Sequence, residues 1–115
     1  MILITSYPNL DLDGTACAYA YRELLRKKGK EVEFRYFGEL HRETKFVINK
    51  FNIQDIKKFD NFKFDEIILV DASEVLRLPE EVKSEQVIEI IDHRKSNDKD
   101  KFQNSKFQIE LVGAC

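Results

Sequence analysis

The chain carries its acidic residues where chemistry could be done. Asp11 and Asp13 form the stretch Asp-Leu-Asp-Gly-Thr, just beyond the apolar run that opens the sequence. Asp71 directly follows Ile67-Ile68-Leu69-Val70, and the pair Asp92-His93 directly follows Ile90-Ile91. Three separate apolar runs therefore each lead into acid. If those runs lie side by side, several carboxylates and one imidazole converge on one pocket. Like charges so close in a partly dry cleft repel strongly, and a divalent cation is the simplest remedy. Carboxylates are hard ligands suited to Mg²⁺ or Mn²⁺, and the imidazole of His93 shifts the preference toward Mn²⁺ or another transition metal. Singly, each residue has a plainer reading: Asp13 as a helix N-cap, Asp71 as the start of a loop, His93 as an ordinary surface or core histidine.

The elements that must position these residues follow from periodicity. "MILIT" (1–5) reads as a first strand, and Asp13-Gly14-Thr15 opens a helix that runs to about Lys28 and stops at Gly29. Cys17, Ala20 and Leu24 recur at helical spacing along it, and its small residues (Ala16, Ala18, Ala20) let it approach a sheet closely. "EVEFRYF" (31–37) alternates apolar and polar residues and reads as a second strand with one wet face. Leu40, Thr44, Val47, Ile48 and Phe51 return to helical spacing, and "IQDIKKF" (53–59) reads as a short helix. "EIILVD" (66–71) is a continuous apolar run, the mark of a strand covered on both faces. "LPEEVK" (78–83) reads as a helical turn, "QVIEIID" (86–92) as a fourth strand and "KFQIELV" (106–112) as an alternating fifth.

Strands alternating with helical segments predict an α/β fold: a three-layer, open, parallel five-stranded sheet with helices on both faces. The alternating second and fifth strands are the natural edges. The right-handed crossover rule then favours the order 2-1-3-4-5. That order reverses between strands one and three, and ligands of open α/β sheets sit beyond the carboxyl ends at that point. Asp11, Asp13, Asp71, Asp92 and His93 are all expected there.

Composition narrows the classes. A chain of 115 residues with 43% hydrophobic residues is one domain with a real core. The net charge of −2, from 19 basic and 21 acidic residues well interspersed, argues against strong duplex nucleic-acid binding, which needs a basic face. Cys17 and Cys115 make no disulfide framework, and a reducing, cytoplasmic setting is expected. No segment approaches the roughly 20 apolar residues of a membrane span, so no membrane partner is expected.

Three acid-rich folds can be sorted on these residues. The Asp-Leu-Asp-Gly-Thr stretch matches the nucleophile signature of haloacid dehalogenase-type phosphatases, but "SYPN" and Leu10 separate it from the first strand, and no lysine ends a later interior strand. A phosphorelay receiver domain would place its phosphoacceptor at Asp71, but would need Ser or Thr after the fourth strand and Lys after the fifth, where Asp92-His93 and Gly113-Ala114 stand. The ordered set Asn9-x-Asp11-x-Asp13, Asp71, Asp92-His93 and "ELVGAC" resembles the DHH phosphoesterase superfamily, over nearly the whole chain.

That resemblance implies a metal-dependent phosphoesterase, acting on a phosphodiester or phosphoanhydride through a water activated by two Mn²⁺ or Mg²⁺ ions, or the catalytic half of such an enzyme. It implies Asp11 as ligand of the first ion, Asp13 and His93 as ligands of the second, Asp71 as the bridge, and Asp92 as support for the histidine loop. The implied partner is a phosphate-containing small molecule or short oligonucleotide. Tyr7 stands where the superfamily pattern has His, and a neutral phenol is a poor ligand for Mn²⁺, so the first ion is expected to bind weakly or with substrate. Arg94 stands where the pattern Asp-His-His has its second His. It cannot serve as a general acid at neutral pH, but a guanidinium can clamp a phosphate as a planar fork. The superfamily continues past the "ELVGAC" motif into a further metal-binding Asp and a substrate-binding domain. The expectation is therefore a single catalytic domain over 1–115, incomplete without that second domain and prone to self-association through its fifth-strand edge. A non-catalytic module that keeps the fold and a residual metal or phosphate site is the alternative.

Overall fold

A computed structural model describes all 115 residues. Six strands form one parallel sheet: β1 (Ile2–Thr5), β2 (Val32–Tyr36), β3 (Lys57–Lys58), β4 (Glu66–Val70), β5 (Val87–Asp92) and β6 (Lys106–Ile109). Their order is β3-β2-β1-β4-β5-β6. The expected five strands keep their neighbours, but the sheet has a sixth. Lys57–Lys58, within the segment expected to be a short helix, pairs with Arg35–Tyr36 of β2 and lies on its outer side. Helical spacing there is overridden by the backbone: Asn52 and Asp55 take positive φ (49° and 67°), which no helix interior tolerates. β2 is consequently not an edge, and the edges are β3 and β6.

Two α-helices lie on one face. α1 (Leu12–Lys27) is capped by Asp11, whose Oδ1 accepts from the Gly14 N–H at 2.8 Å. The cap is thus Asp11 rather than the expected Asp13. A Cβ at Gly14 would lie 2.8 Å from Leu10 Cδ1, so a side chain there would require the buried Leu10 to shift. The buried stripe of α1 is Thr15, Ala18, Arg22 and Leu25, so Ala20 and Leu24 of the other spacing face outward. Arg22 tolerates burial because its guanidinium donates to the Asp55 carbonyl at 2.6 Å and pairs with Glu23 at 3.1 Å. α2 (Arg42–Lys50) rests beside α1, and its buried Thr44 hydroxyl donates to the Leu10 carbonyl at 3.5 Å.

The expectation of helices on both faces is corrected. On the α1 face, Ile4, Val32, Phe34, Ile68 and Val70 form one apolar cluster with Ala18 and Leu25. On the other face, Leu3, Ile67, Leu69, Val87 and Ile90 are covered by Phe102, Val82 and a group of phenylalanines, with only single 3₁₀ turns for helix. Phe59 stacks on Phe37 and meets Phe62 and Phe64 edge-on, and those two tilt against each other, with 4.6–6.1 Å between ring centres. Large rings at irregular spacing close this face without an amphipathic helix. A bulge at Ile88 adjusts β5: Ile67 pairs with Val87, but Ile68 pairs with Glu89. Val87 and Ile90 thus share a face that strict alternation would deny them. No helix is long and apolar enough to cross a membrane.

Candidate metal and phosphate site

The strand order brings the carboxyl ends of β1, β4 and β5 together, and the loops leaving them carry the acids. Asp71 follows β4 directly in a left-handed conformation (φ 52°), which Asp adopts more readily than most residues. Its N–H donates to the Ile91 carbonyl at 2.8 Å, so the turn is tied to the end of β5. Its side chain is buried, with the residue 2% exposed. On the neighbouring loop, Asn9 is also left-handed (φ 62°), and its side-chain oxygen accepts from the Glu39 N–H at 3.0 Å. Gly38 opposite must be glycine: a Cβ there would stand 2.5 Å from that oxygen. Strain of this kind collects at functional sites and is held by surrounding hydrogen bonds.

Asp13, Asp71 and His93 form the centre. One ligand-capable atom from each lies within 4.8 Å of the others. His93 Nε2 is 2.9 Å from Asp71 Oδ1 and 3.3 Å from Asp13 Oδ2. His93 Nδ1 is 3.0 Å from the Val112 carbonyl. A carbonyl only accepts, so Nδ1 carries its proton and Nε2 is turned toward the carboxylates. The Cys115 N–H donates to both oxygens of Asp13, at 3.1 and 3.0 Å. The segment after β6 therefore contributes two main-chain groups that aim the imidazole and one carboxylate. Residue type gives no signal for such groups, and the sequence pattern did not reveal them.

Asp11 is not in this trio. It caps α1 through Oδ1 and lines the adjoining cleft. Of the four sequence-expected ligands, the structure gathers Asp13, Asp71 and His93 and leaves Asp11 on the wall beside them. Asp92 sits below: it accepts from the His93 N–H at 2.8 Å, from the Ser73 hydroxyl, and from Arg94 Nη1 at 3.3 Å. Arg94 also donates to the Asp71 carbonyl and pairs with Asp71 Oδ1 at 3.3 Å. Its fork is thus occupied by the protein's own acids.

Tyr7 is turned away from the trio. Its hydroxyl accepts from the N–H groups of Ser73 and Glu74 at 2.9 and 2.7 Å, bracing the turn after Asp71. Its ring carries two cations, with the guanidinium carbons of Arg77 and Arg94 at 4.0 and 5.3 Å from the ring centre. A cleft of about 230 Å³ opens here, lined by Tyr7, Asp11, His41, Asp71, Arg77 and Arg94 among ten residues. It lies at the switch point of the sheet, as ligand sites of such folds do.

The electrostatics reflect this crowding. Burial pushes the Asp71 carboxyl up to about 6; Arg94 and His93 oppose the rise, and the charges of Asp13 and Asp11 add to it. The His93 imidazole is raised chiefly by the Val112 carbonyl, with Asp71 and Asp13 adding and partial burial opposing. With Nδ1 protonated, the contact between Nε2 and Asp71 needs a hydrogen from one side or the other. A cation that replaces this proton would find two carboxylates and an imidazole lone pair already facing one another. The donor set fits Mn²⁺ or Mg²⁺ on its chemistry, with the imidazole favouring the former. The fixed Nδ1–H bond is the outer contact that commonly orients a ligating histidine.

Residues 1–112 match the family described as "DHH family, N-terminal domain". The chain belongs to that family. The DHH-family resemblance of the motifs is thus borne out over almost the whole chain. Among its relatives is a "Probable manganese-dependent inorganic pyrophosphatase" of Bacillus cereus (strain ZK / E33L), 29% identical over 114 residues, 97% of this chain and 37% of that protein. A protein of the same description from Brevibacillus brevis is 31% identical over 113 residues, 96% of this chain and 36% of its own length. A third, from Exiguobacterium sp., is 29% identical over 96 residues, 82% of this chain and 31% of its length. This DHH domain spans about a third of the length of those relatives. Within it, Tyr7 and Arg94 stand where the superfamily resemblance leads to an expected His. The structure engages both locally, since Tyr7 braces the β4 turn and Arg94 neutralises Asp71 and Asp92.

Proposed function

We propose that this chain is the catalytic part of a metal-dependent hydrolase of phosphoanhydrides, with a small phosphate compound such as inorganic pyrophosphate as substrate and Mn²⁺ as the ion. The convergence of Asp13, Asp71 and His93, with Nδ1 of His93 pinned outward, carries the reading. Family membership and the manganese-dependent pyrophosphatases among the relatives support it.

In this reading Asp13, Asp71 and His93 hold one ion. Asp11, which keeps a carboxylate oxygen free of the cap, would with Asp71 hold a second, weaker one. A bound divalent cation supplies Lewis-acid polarisation of a phosphoryl oxygen and a more acidic water. The chain's own residues do the rest. Asp71 must be ionised, and its burial keeps water from screening the charge. The Val112 carbonyl and Asp92 hold the His93 ring and loop in place. Arg94, beside both Asp71 and the cleft, sets its positive charge where negative charge grows as the anhydride bond breaks.

Titration of Mn²⁺ into the metal-free protein, followed by calorimetry, tests the reading alongside phosphate release from pyrophosphate. The expected result is Mn²⁺ binding and low turnover in the native chain, with both lost in Asp71→Ala. Turnover that survives Asp71→Ala would refute it. A second reading, a non-catalytic module with a residual metal site, is favoured by one observation: Tyr7 points its hydroxyl at the backbone and gives nothing to the trio. Mn²⁺ binding without turnover would decide for that reading.

A further inference from the structure

Two guanidiniums line the cleft, and they are not equivalent. Arg94 is committed: its Nη1 and Nη2 lie within 3.3 Å of the Asp71 and Asp92 carboxylates, and Nη1 also donates to the Asp71 carbonyl. Arg77 is not. Its one ionic partner is Glu74, at 3.6 Å, and its side chain is 53% exposed. Its central carbon sits over the Tyr7 ring, 4.0 Å from the ring centre. Stacking fixes the plane of a guanidinium while leaving its N–H edges free to donate. Tyr7 is itself held by two backbone N–H groups, so the platform under Arg77 is rigid. The free fork thus sits on the wall of the cleft reached from Asp71 through Arg94 and then Tyr7.

We propose that Arg77 is the specificity-determining residue of the cleft, gripping a second, non-reacting phosphoryl group while the first lies at Asp13, Asp71 and His93. The site then selects linked diphosphates over single phosphates. The assignment of the first phosphoryl to that trio rests on the hydrolase reading above. Most of the cleft's lining residues are polar, and its one phenol ring is already covered by two guanidiniums. The exposed imidazole of His41, at the start of α2, lines the same cleft and adds a further donor for the distal oxygens. A compact anion of two joined phosphoryl groups suits the volume of about 230 Å³ and the two guanidiniums that line it.

Methylenediphosphonate, which resists hydrolysis, and methylphosphonate, with a single phosphorus, separate the two halves of the cleft. Their binding is measured by calorimetry at fixed free Mn²⁺ for the native chain, Arg77→Gln and Arg77→Lys. Native protein is expected to prefer the diphosphonate by about tenfold or more, as a charge-assisted bidentate contact allows. Arg77→Gln should remove that preference while leaving methylphosphonate and Mn²⁺ affinities within about twofold, since Arg77 touches neither partner group. Arg77→Lys should restore part of it, because the point charge remains and the fork does not. An unchanged preference in Arg77→Gln overturns the proposal, as does an equal loss for both ligands, which would make Arg77 a diffuse field source. Unchanged thermal unfolding confirms that the variant is folded, as expected for so exposed a side chain. If Mn²⁺ does not bind at all, the hydrolase reading falls by itself. The same comparison without metal then judges Arg77: a diphosphonate preference lost in Arg77→Gln supports it, and none to lose overturns it.

Discussion

The carboxyl ends of β4 and β5 each bury an aspartate, and the two are opposites. Asp71 and Asp92 are 2% and 3% exposed. Asp92 is surrounded by donors: the Ser73 hydroxyl, the His93 N–H and Arg94 Nη1 all point at it. Asp71 meets one cation, hydrogen-bonds with His93, and faces two further carboxylates, Asp13 and Asp11. Burial alone therefore says little about a carboxylate. Asp92 is a hub that fixes the histidine loop, as expected of a buried charge fully supplied with hydrogen bonds. Asp71 is a charge the fold tolerates at a cost, and such costs mark places where a ligand is meant to relieve the repulsion.

The contrast breaks most visibly if both residues are truncated. Asp92→Ala should cost about 3–5 kcal/mol, because it strands Arg94, the Ser73 hydroxyl and the His93 N–H in a buried turn. Chemical denaturation at pH 7 without metal would show it as a lowered midpoint with an unchanged slope. A loss below about 1 kcal/mol would mean that water replaces the carboxylate, and that Asp92 is no hub.

Asp71→Asn should act in the other direction. The folded pKa of Asp71, about 6, lies above its usual value of 3.8. A raised carboxyl contributes stability below the unfolded value, and that contribution is lost as pH rises through the folded one. The metal-free native chain should therefore lose stability from this group between about pH 4 and pH 6–7, on the order of 3 kcal/mol in all. Asn keeps an oxygen for Arg94 and suits the positive φ of this position, but does not ionise. Asp71→Asn should unfold at a similar or slightly higher temperature than the native chain at pH 4, with the gap widening through pH 6, and should bind no Mn²⁺. A gap that stays constant with pH would show that backbone preference alone explains the gain.

Much of this arrangement was legible in the sequence because it rests on β-strands. The runs Ile67–Val70 and Ile90–Ile91 announce interior strands, and an acid at the end of each is a statement about the end of the sheet. The order of those strands follows from chain handedness, so Asp13, Asp71 and His93 could be placed together from the sequence. What stayed hidden depends on contacts without a period. β3 is two lysines, too short to show alternation. The second face of the sheet is closed by Phe59, Phe62, Phe64 and Phe102, whose spacing fits no element. Arg77 falls between segments with recognisable patterns, and only the Tyr7 ring beneath it gives it meaning. The capping role went to Asp11 because two aspartates separated by one residue both suit the start of a helix.

Arg94 stands between the two turns and offers the finest test of the difference. Its charge reaches Asp71 at 3.3 Å and Asp92 at 3.3 Å. In the metal-free chain it acts as the counter-ion of Asp71, so a divalent cation entering the trio must tolerate a positive neighbour. Arg94→Gln removes that repulsion and should tighten Mn²⁺ binding by about five- to tenfold, a modest figure because the guanidinium is partly screened by solvent. Raising the salt concentration should shrink the gain. Turnover should move the other way, falling by about tenfold or more, since the charge beside the breaking bond is gone. Tighter metal with slower hydrolysis would place Arg94 with Asp71, as part of the reacting centre. Weaker metal, with a loss of stability like that of Asp92→Ala, would place it with Asp92 as scaffold.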